Sequence, residues 1–173
     1  LNEVAEQTLE GLGATASVVL EATGPITIND LSDDLLSLQQ TTGSVTFRST
    51  GGGSFSMNAG DTIQTAGGAL TIEAGTITAG TLDTTGGGTA AAGGAVTLTA
   101  NQNATGNVAV QAIDTGGTAS GGAVSITAQN TASIAAAGSI DAGNATVTIR
   151  ANQDGIGAER FEMGAGSADR KSH

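Results

Sequence analysis

The chain has 173 residues, of which 28 are glycine, with three phenylalanines, one proline and no cysteine, tryptophan or tyrosine. Five basic residues against 16 acidic ones leave a net charge of -11, which argues against nucleic-acid binding and against attachment to a membrane through a polybasic patch. The absence of cysteine excludes disulfides and thiolate catalysis. No window reaches the roughly 18 apolar residues of a spanning helix, so we expect no membrane insertion.

The first residues differ from the rest of the chain. Residues 1–13 hold Val4, Leu9 and Leu12 among three glutamates. They are predicted to be an N-terminal cap or the tail of a preceding coil.

From residue 18 onward, one short segment type recurs. Apolar and polar residues alternate in each copy, which predicts a strand with one buried face. The copies begin at residues 18, 45, 70, 96, 124 and 147, so the spacings are 27, 25, 26, 28 and 23. Periods of this length are typical of solenoids. The copies read VVLEA, VTFRS, LTIEA, VTLTA, VSITA and VTIRA.

Two further groups of apolar residues follow within each repeat and predict a second and a third side. The second group comprises Ile26, Ile28, Phe55, Met57, Ile77, Val108, Val110, Ile134 and Ile156. The third comprises Leu36, Leu38, Ile63, Leu82, Ile113 and Ile140. Glycine pairs such as Gly67-Gly68 and Gly93-Gly94 precede the recurring segments, and we interpret them as corners where glycine supplies a positive φ.

One coil of three short strands cannot bury its apolar residues alone, so successive coils must stack. The prediction is an all-β fold, a right-handed parallel β-helix (β-solenoid) of about six three-sided coils of ~25 residues. The coils occupy residues 14–157. Residues 158–173 are predicted to form a C-terminal cap and a flexible tail.

Several segments resemble a known family. These are Gly-Gly-Ala-Val-Thr-Leu-Thr-Ala (93–100), Ile-Asp-Thr-Gly-Gly (113–117), Thr-Leu-Glu-Gly-Leu (8–12) and residues 19–28. They look like coils of the filamentous-haemagglutinin-like exoproteins of bacterial two-partner secretion, a resemblance that covers roughly residues 8–157. It implies a β-helix displayed at the cell surface or released from it. The family's Asn-Pro-Asn-Gly-type secretion motif is absent, so the resemblance implies a piece of the repetitive shaft.

A column of hydroxyls is expected on the outside of the first side. Its members are Thr46, Thr71, Thr97, Ser125 and Thr148. Threonine suits strands, so a structural role is sufficient. The alternative, ice binding, requires a second matching column, and there Arg48, Glu73 and Arg150 interrupt the hydroxyls.

Asp83, Asp114 and Asp141 occupy equivalent positions on successive coils. Carboxylates stacked ~5 Å apart are either solvated or bonded to turn backbone, or they are bridged by a cation such as Ca²⁺. We prefer carboxylates that are solvated or bonded to turn backbone. Apart from the alternative of Ca²⁺ at this column, we expect no cofactor.

The adjacent carboxylates Asp33 and Asp34 are the one candidate for catalysis, in a carbohydrate-active β-helix. The basic residues Arg48 and Arg150 lie four coils apart, roughly 19 Å, which is too far to act on one bond. We therefore expect no enzyme, but a structural or adhesive shaft segment outside the bacterial cell. The expected partners are further coils, copies of itself, or host-cell, matrix or polysaccharide surfaces.

Overall fold

The computed structural model describes residues 3–101, 105–157, 160–166 and 168–170, the last three by their backbone alone. One short helix, α1 (Glu6–Glu10), precedes the strands. In chain order the strands are β1 (Val18–Ala22), β2 (Ile26–Thr27), β3 (Leu35–Leu38), β4 (Ser44–Ser49), β5 (Ser54–Ser56), β6 (Thr62–Thr65), β7 (Ala69–Ala74), β8 (Thr76–Asp83), β9 (Val96–Ala100), β10 (Val108–Asp114), β11 (Val124–Ala128), β12 (Ala132–Ile134), β13 (Ser139–Asp141), β14 (Val147–Arg150), β15 (Phe161–Met163) and β16 (Ala168–Arg170).

The first side of the molecule is a parallel six-stranded sheet in the order β1-β4-β7-β9-β11-β14. Its register stacks Val18, Val45, Leu70, Val96, Val124 and Val147 in one column. The six recurring segments therefore occupy equivalent positions, as predicted. The fold is an all-β solenoid of parallel strands.

The number of turns is about five, slightly fewer than the six predicted. The six strands of the first side are separated by five turns of the chain. The strands after β14 do not complete a further turn that is covered by another. Val147 and Ile149 of β14 remain only half-buried, because no further strand of the described chain lies over them.

The second and third sides share one ten-stranded sheet. Strands β8 and β10 run through both sides, whereas the turns before β8 and after β10 have a separate strand for each side. The second side follows β2-β5-β8-β10-β12-β15, and the third follows β3-β6-β8-β10-β13-β16. In the first two turns, loops therefore protrude where the second side meets the third.

One assignment on the second side was wrong. Ile156 was expected to continue its apolar column, but it is 73% exposed. The column continues instead at Phe161 and Met163, which pair with Ala132 and Ile134 of the preceding turn. The chain first forms a turn over residues 152–157, so the strand begins later than the average period suggests.

The core is a narrow stack of aliphatic side chains with two aromatic rings. Residues such as Ile72, Leu82 and Leu98 are fully buried, each contributing about 1.5–3 kcal/mol by leaving water. Phe47 and Phe55 lie on the first and second sides of one turn with ring centroids 5.4 Å apart. Aliphatic residues fill the remaining turns, which accounts for the low aromatic content.

The corner glycines are required mainly by the close approach of successive turns. Gly67 has a positive φ of 104°, as expected. Gly68, Gly94 and Gly122 do not, so this part of the prediction was wrong. A Cβ on Gly94 would overlap the carbonyl group of Gly68, and one on Gly122 would overlap that of Gly94. Glycine is needed there for space rather than for conformation.

The N-terminal segment lies against the first turn. Leu9 of α1 is buried, and the Glu10 carboxylate accepts a 2.8 Å hydrogen bond from the backbone N–H of Ser37 in β3. The backbone N–H of Thr41 donates to the carbonyl oxygen of Ala14. These contacts satisfy donors on the outer edge of the first turn, in β3 and in the segment that follows it. Within the described residues, no helix is long and apolar enough to cross a membrane.

Candidate functional site

The hydroxyl column lies where the sequence placed it. Thr46, Thr71, Thr97, Ser125 and Thr148 are stacked in register on the outer face of the first side. They are half-buried, so each side chain is partly open to solvent. Each hydroxyl therefore remains available to solvent or to a ligand.

The neighbouring column carries charged residues at both ends. Arg48 donates from Nε to Glu73 Oε2 at 2.6 Å and from a terminal nitrogen to Glu21 Oε2 at 3.3 Å. The bond to Glu73 is the main reason that the pKa of Arg48 is raised above its ordinary value. Arg150 lies four strands away in the same column, so the two arginines do not form a common site.

The aspartate column is also in register. Asp83, Asp114 and Asp141 are aligned on adjacent turns. Each Oδ1 accepts a hydrogen bond from the backbone N–H two residues later, at 2.7, 3.0 and 2.9 Å. This is the Asx turn, which stabilises a corner locally. The three carboxylates thus have a structural function at the corners.

The middle member of this column, Asp114, has a raised pKa. Burial raises the pKa of Asp114, the charges of Asp141 and Asp83 add to the rise, and the hydrogen bond from Gly116 opposes it. Burial first, and the stacked like charges second, therefore destabilise the ionised form of Asp114.

A second acidic group lies where the second side meets the third, in the first two turns. One carboxylate oxygen each of Asp30, Asp34 and Asp61 lies within 4.8 Å of the others. Among the residues that the structure describes, this is the one group of three or more potential metal-ligating side chains that converges in this way. We call it the acidic cluster.

Two elements of the chain build the acidic cluster. The protruding loop before β3 carries Asp30 and Asp34, and the corner before β6 carries Asp61. Since Leu35 pairs with Thr62, Asp34 lies one turn above Asp61. The side-chain amide of Asn58 donates to Asp30 Oδ1, which ties the loop to the next turn.

Asp61 differs from the other two aspartates because it is fully buried, whereas Asp30 and Asp34 are exposed. Its Oδ2 accepts a long 3.4 Å hydrogen bond from the backbone N–H of Leu31. Its Oδ1 is buried and has no hydrogen-bond partner in the described part of the chain. A buried carboxylate oxygen without a partner is costly.

An open cleft of about 340 Å³ adjoins the acidic cluster. Asp30 and Asn58 form part of its wall, together with Thr27, Ser56 and Met57. The cluster is therefore accessible from solvent on one side and enclosed by the solenoid on the other.

Sequence reasoning identified only one member of the acidic cluster. It paired Asp34 with its neighbour Asp33, but Asp33 instead accepts a hydrogen bond from the backbone N–H of Leu35. The 27-residue spacing between Asp34 and Asp61 equals one turn, and this was the signal that could have revealed the pair. Asp30 depends on the conformation of the loop.

Taken together, the stacked parallel strands and the regular surface columns define a β-solenoid repeat protein. Comparisons with protein-family models, with curated proteins and with solved structures found no match.

Proposed function

We propose that this chain is a structural shaft segment of an extracellular bacterial protein, which extends by stacking further turns and presents its outer faces to adhesive partners. The observation that carries this proposal is the open end of the core. The proposed extracellular location is based on the resemblance to two-partner-secretion exoproteins.

At the end formed by β14, β15 and β16, core columns reach the surface. Ala132 and Ile134 are 1% and 2% exposed, whereas Phe161 and Met163, their partners one turn later, are 37% and 39% exposed. The same columns are thus buried in one turn and open in the next. An additional turn would cover these side chains and pair with the outer edges of β14, β15 and β16, which have no partner strand in the described part of the chain.

The outer faces supply the surfaces for adhesion. The hydroxyl column presents one hydroxyl on each turn from β4 to β14. The cleft beside Asp30 adds amides and a carboxylate on the first two turns. Such groups suit polar partners like polysaccharides or extended peptides, which bind through many similar contacts.

The test uses a second copy of the chain as the source of the additional turn. We expect the wild-type protein to associate as its concentration increases, as measured by sedimentation velocity. Association about a two-fold axis gives dimers, whereas head-to-tail association gives filaments. Electron microscopy distinguishes dimers from filaments. Substituting aspartate for both Phe161 and Met163 should abolish the association.

Ile156→Asp is the matched control, since Ile156 is exposed and apolar but lies outside the core columns. It should associate like the wild type. If the wild type stays monomeric, or if both variants associate equally well, the open end does not mediate stacking and the proposal fails.

Ice binding remains the second candidate because one patch of the surface favours it. Thr97 and Thr99 on β9 align with Ser125 and Thr127 on β11, which gives two adjacent hydroxyl columns over two turns. Thermal hysteresis that disappears in Thr97→Tyr would support this function.

A further inference from the structure

The acidic cluster combines three carboxylates that pair with no basic side chain among the residues the structure describes. Within the described residues, Arg48 pairs with Glu21 and Glu73, and Arg160 pairs with Glu162. No salt bridge in this part of the chain reaches Asp30, Asp34 or Asp61. Like charges at this separation repel, and the repulsion increases where protein replaces water on one side.

The buried oxygen of Asp61 is a second and independent observation. Asp61 is completely shielded from solvent, and its Oδ1 lacks a hydrogen-bond donor among the residues that the structure describes. A solvated acidic patch does not produce such an atom, because water would satisfy it. One oxygen of this carboxylate lies within 4.8 Å of an oxygen of Asp30 and of Asp34, so a cation bound among the three would supply a partner for the Asp61 carboxylate.

From this arrangement we propose that the acidic cluster binds a calcium ion. Ca²⁺ takes six to eight oxygen ligands and tolerates irregular geometry, which suits carboxylates drawn from a loop and a corner. Asp61 approaches from the protein interior, and Asp30 and Asp34 approach from the exposed loop. Water from the adjoining cleft, which Asp30 lines, would complete the coordination. Mg²⁺ demands a smaller octahedral shell, which this set of ligands serves less well.

Calcium at this position would connect the first two turns of the solenoid. Asp34 and Asp61 are one turn apart, and Asp30 belongs to the protruding loop. The ion therefore holds the loop against the stack, and the site is independent of the open end at β15. The calcium site does not depend on the proposed shaft function.

The experiment measures thermal unfolding by circular dichroism, in chelator and in calcium chloride at matched ionic strength. Extracellular calcium sites have Kd values of about 10⁻⁴–10⁻³ M. At roughly tenfold excess over such a Kd, the midpoint of the wild type should increase by about 3–6 °C. Isothermal titration with Ca²⁺ alone should show one site.

Two variants remove the site without removing the fold. Asp61→Asn keeps the shape and removes the buried charge, so it should be at least as stable as the wild type in chelator. Asp34→Asn should disturb the folded backbone even less, because Asp34 has a φ of 59° and asparagine adopts that conformation readily. Both variants should lose the calcium-dependent shift.

Asp33→Asn is the matched control, since it removes one negative charge from the same loop and leaves the acidic cluster intact. It should retain the full shift. The proposal is overturned if calcium does not stabilise the wild type, or if Asp61→Asn and Asp34→Asn respond as strongly as the wild type. An equal shift from Mg²⁺ would overturn the assignment to calcium.

Discussion

The hydroxyl of Thr84 donates a 2.5 Å hydrogen bond to the carbonyl oxygen of Gly94, and both residues are buried. Thr84 follows the third side of one turn, and Gly94 precedes the first side of the next. The bond therefore closes the corner across an intervening loop of nine residues, 85–93. Thr65 and Gly68, and also Thr115 and Gly122, form the same bond on the neighbouring turns. On these three turns a threonine thus closes the corner, whatever the length of the loop.

Thr84→Val tests this corner bond. Valine matches the shape of threonine but cannot donate, so the buried carbonyl oxygen of Gly94 loses this partner. We expect the free energy of unfolding to fall by about 1–3 kcal/mol, as measured by denaturant unfolding. Thr97→Val is the control, because Thr97 lies on the outer face, and its effect should stay within about 0.5 kcal/mol. Equal effects at both positions would contradict a special role for the corner.

Gly94→Ala tests the close packing of successive turns. The added methyl group would overlap the carbonyl group of Gly68, and the stacked backbones cannot separate without breaking the ladder. We expect a loss of about 1–3 kcal/mol or more in the free energy of unfolding, as measured by denaturant unfolding.

The comparison for this variant is Gly60→Ala. A Cβ added to Gly60 would meet no atom within 4 Å, and Gly60 has no positive φ. Alanine there should leave the folded state unchanged and stabilise the protein by about 0.4–1 kcal/mol through the unfolded chain. A Gly94→Ala protein as stable as Gly60→Ala would show that the turns can move apart.

The aspartate column predicts a pH dependence that centres on Asp114. Its pKa is raised in the folded protein, chiefly by burial, so the folded state binds this proton more tightly than the unfolded state does. The resulting stability is complete below the unfolded-state pKa, near 3.8, and is lost as the pH rises through the folded-state value.

Asp114→Asn should therefore be more stable than the wild type at neutral pH. Its side-chain oxygen can still accept from Gly116, and the charge is gone. The difference between the two midpoints should shrink as the pH falls toward the unfolded-state pKa, which thermal unfolding over a pH series measures. Asp114→Ala lacks the acceptor and should be less stable than Asp114→Asn at every pH. A neutral-pH midpoint of Asp114→Asn below that of the wild type would contradict this explanation.

The register of the solenoid could be predicted from local pattern because each position repeats. Alternation placed Val96 inward and Thr97 outward, and the period aligned them with Val124 and Ser125 one turn later. In a parallel stack the same residue types recur at the same place. The period gave a wrong prediction at Ile156, because a turn intervenes before β15 begins. No repeated residue in the sequence indicates that turn.

The acidic cluster was beyond this kind of prediction because it depends on an irregular loop. The period alone relates Asp34 to Asp61, but only the folded loop brings Asp30 to the same point. The burial of Asp61 and its lack of a donor within the described chain also follow from packing around the corner. A single sequence carries no signal for an atom whose partners come from several elements.

The amino-acid sequence alone therefore determined the class of fold, the three sides and the columns of residues along them, because alternation and period act over short distances. Only the tertiary structure showed why the corner glycines are needed, which carboxylates converge and at which end the core is exposed. Each of these depends on how closely one turn approaches the next. That distance is a property of the packed stack and of no segment by itself.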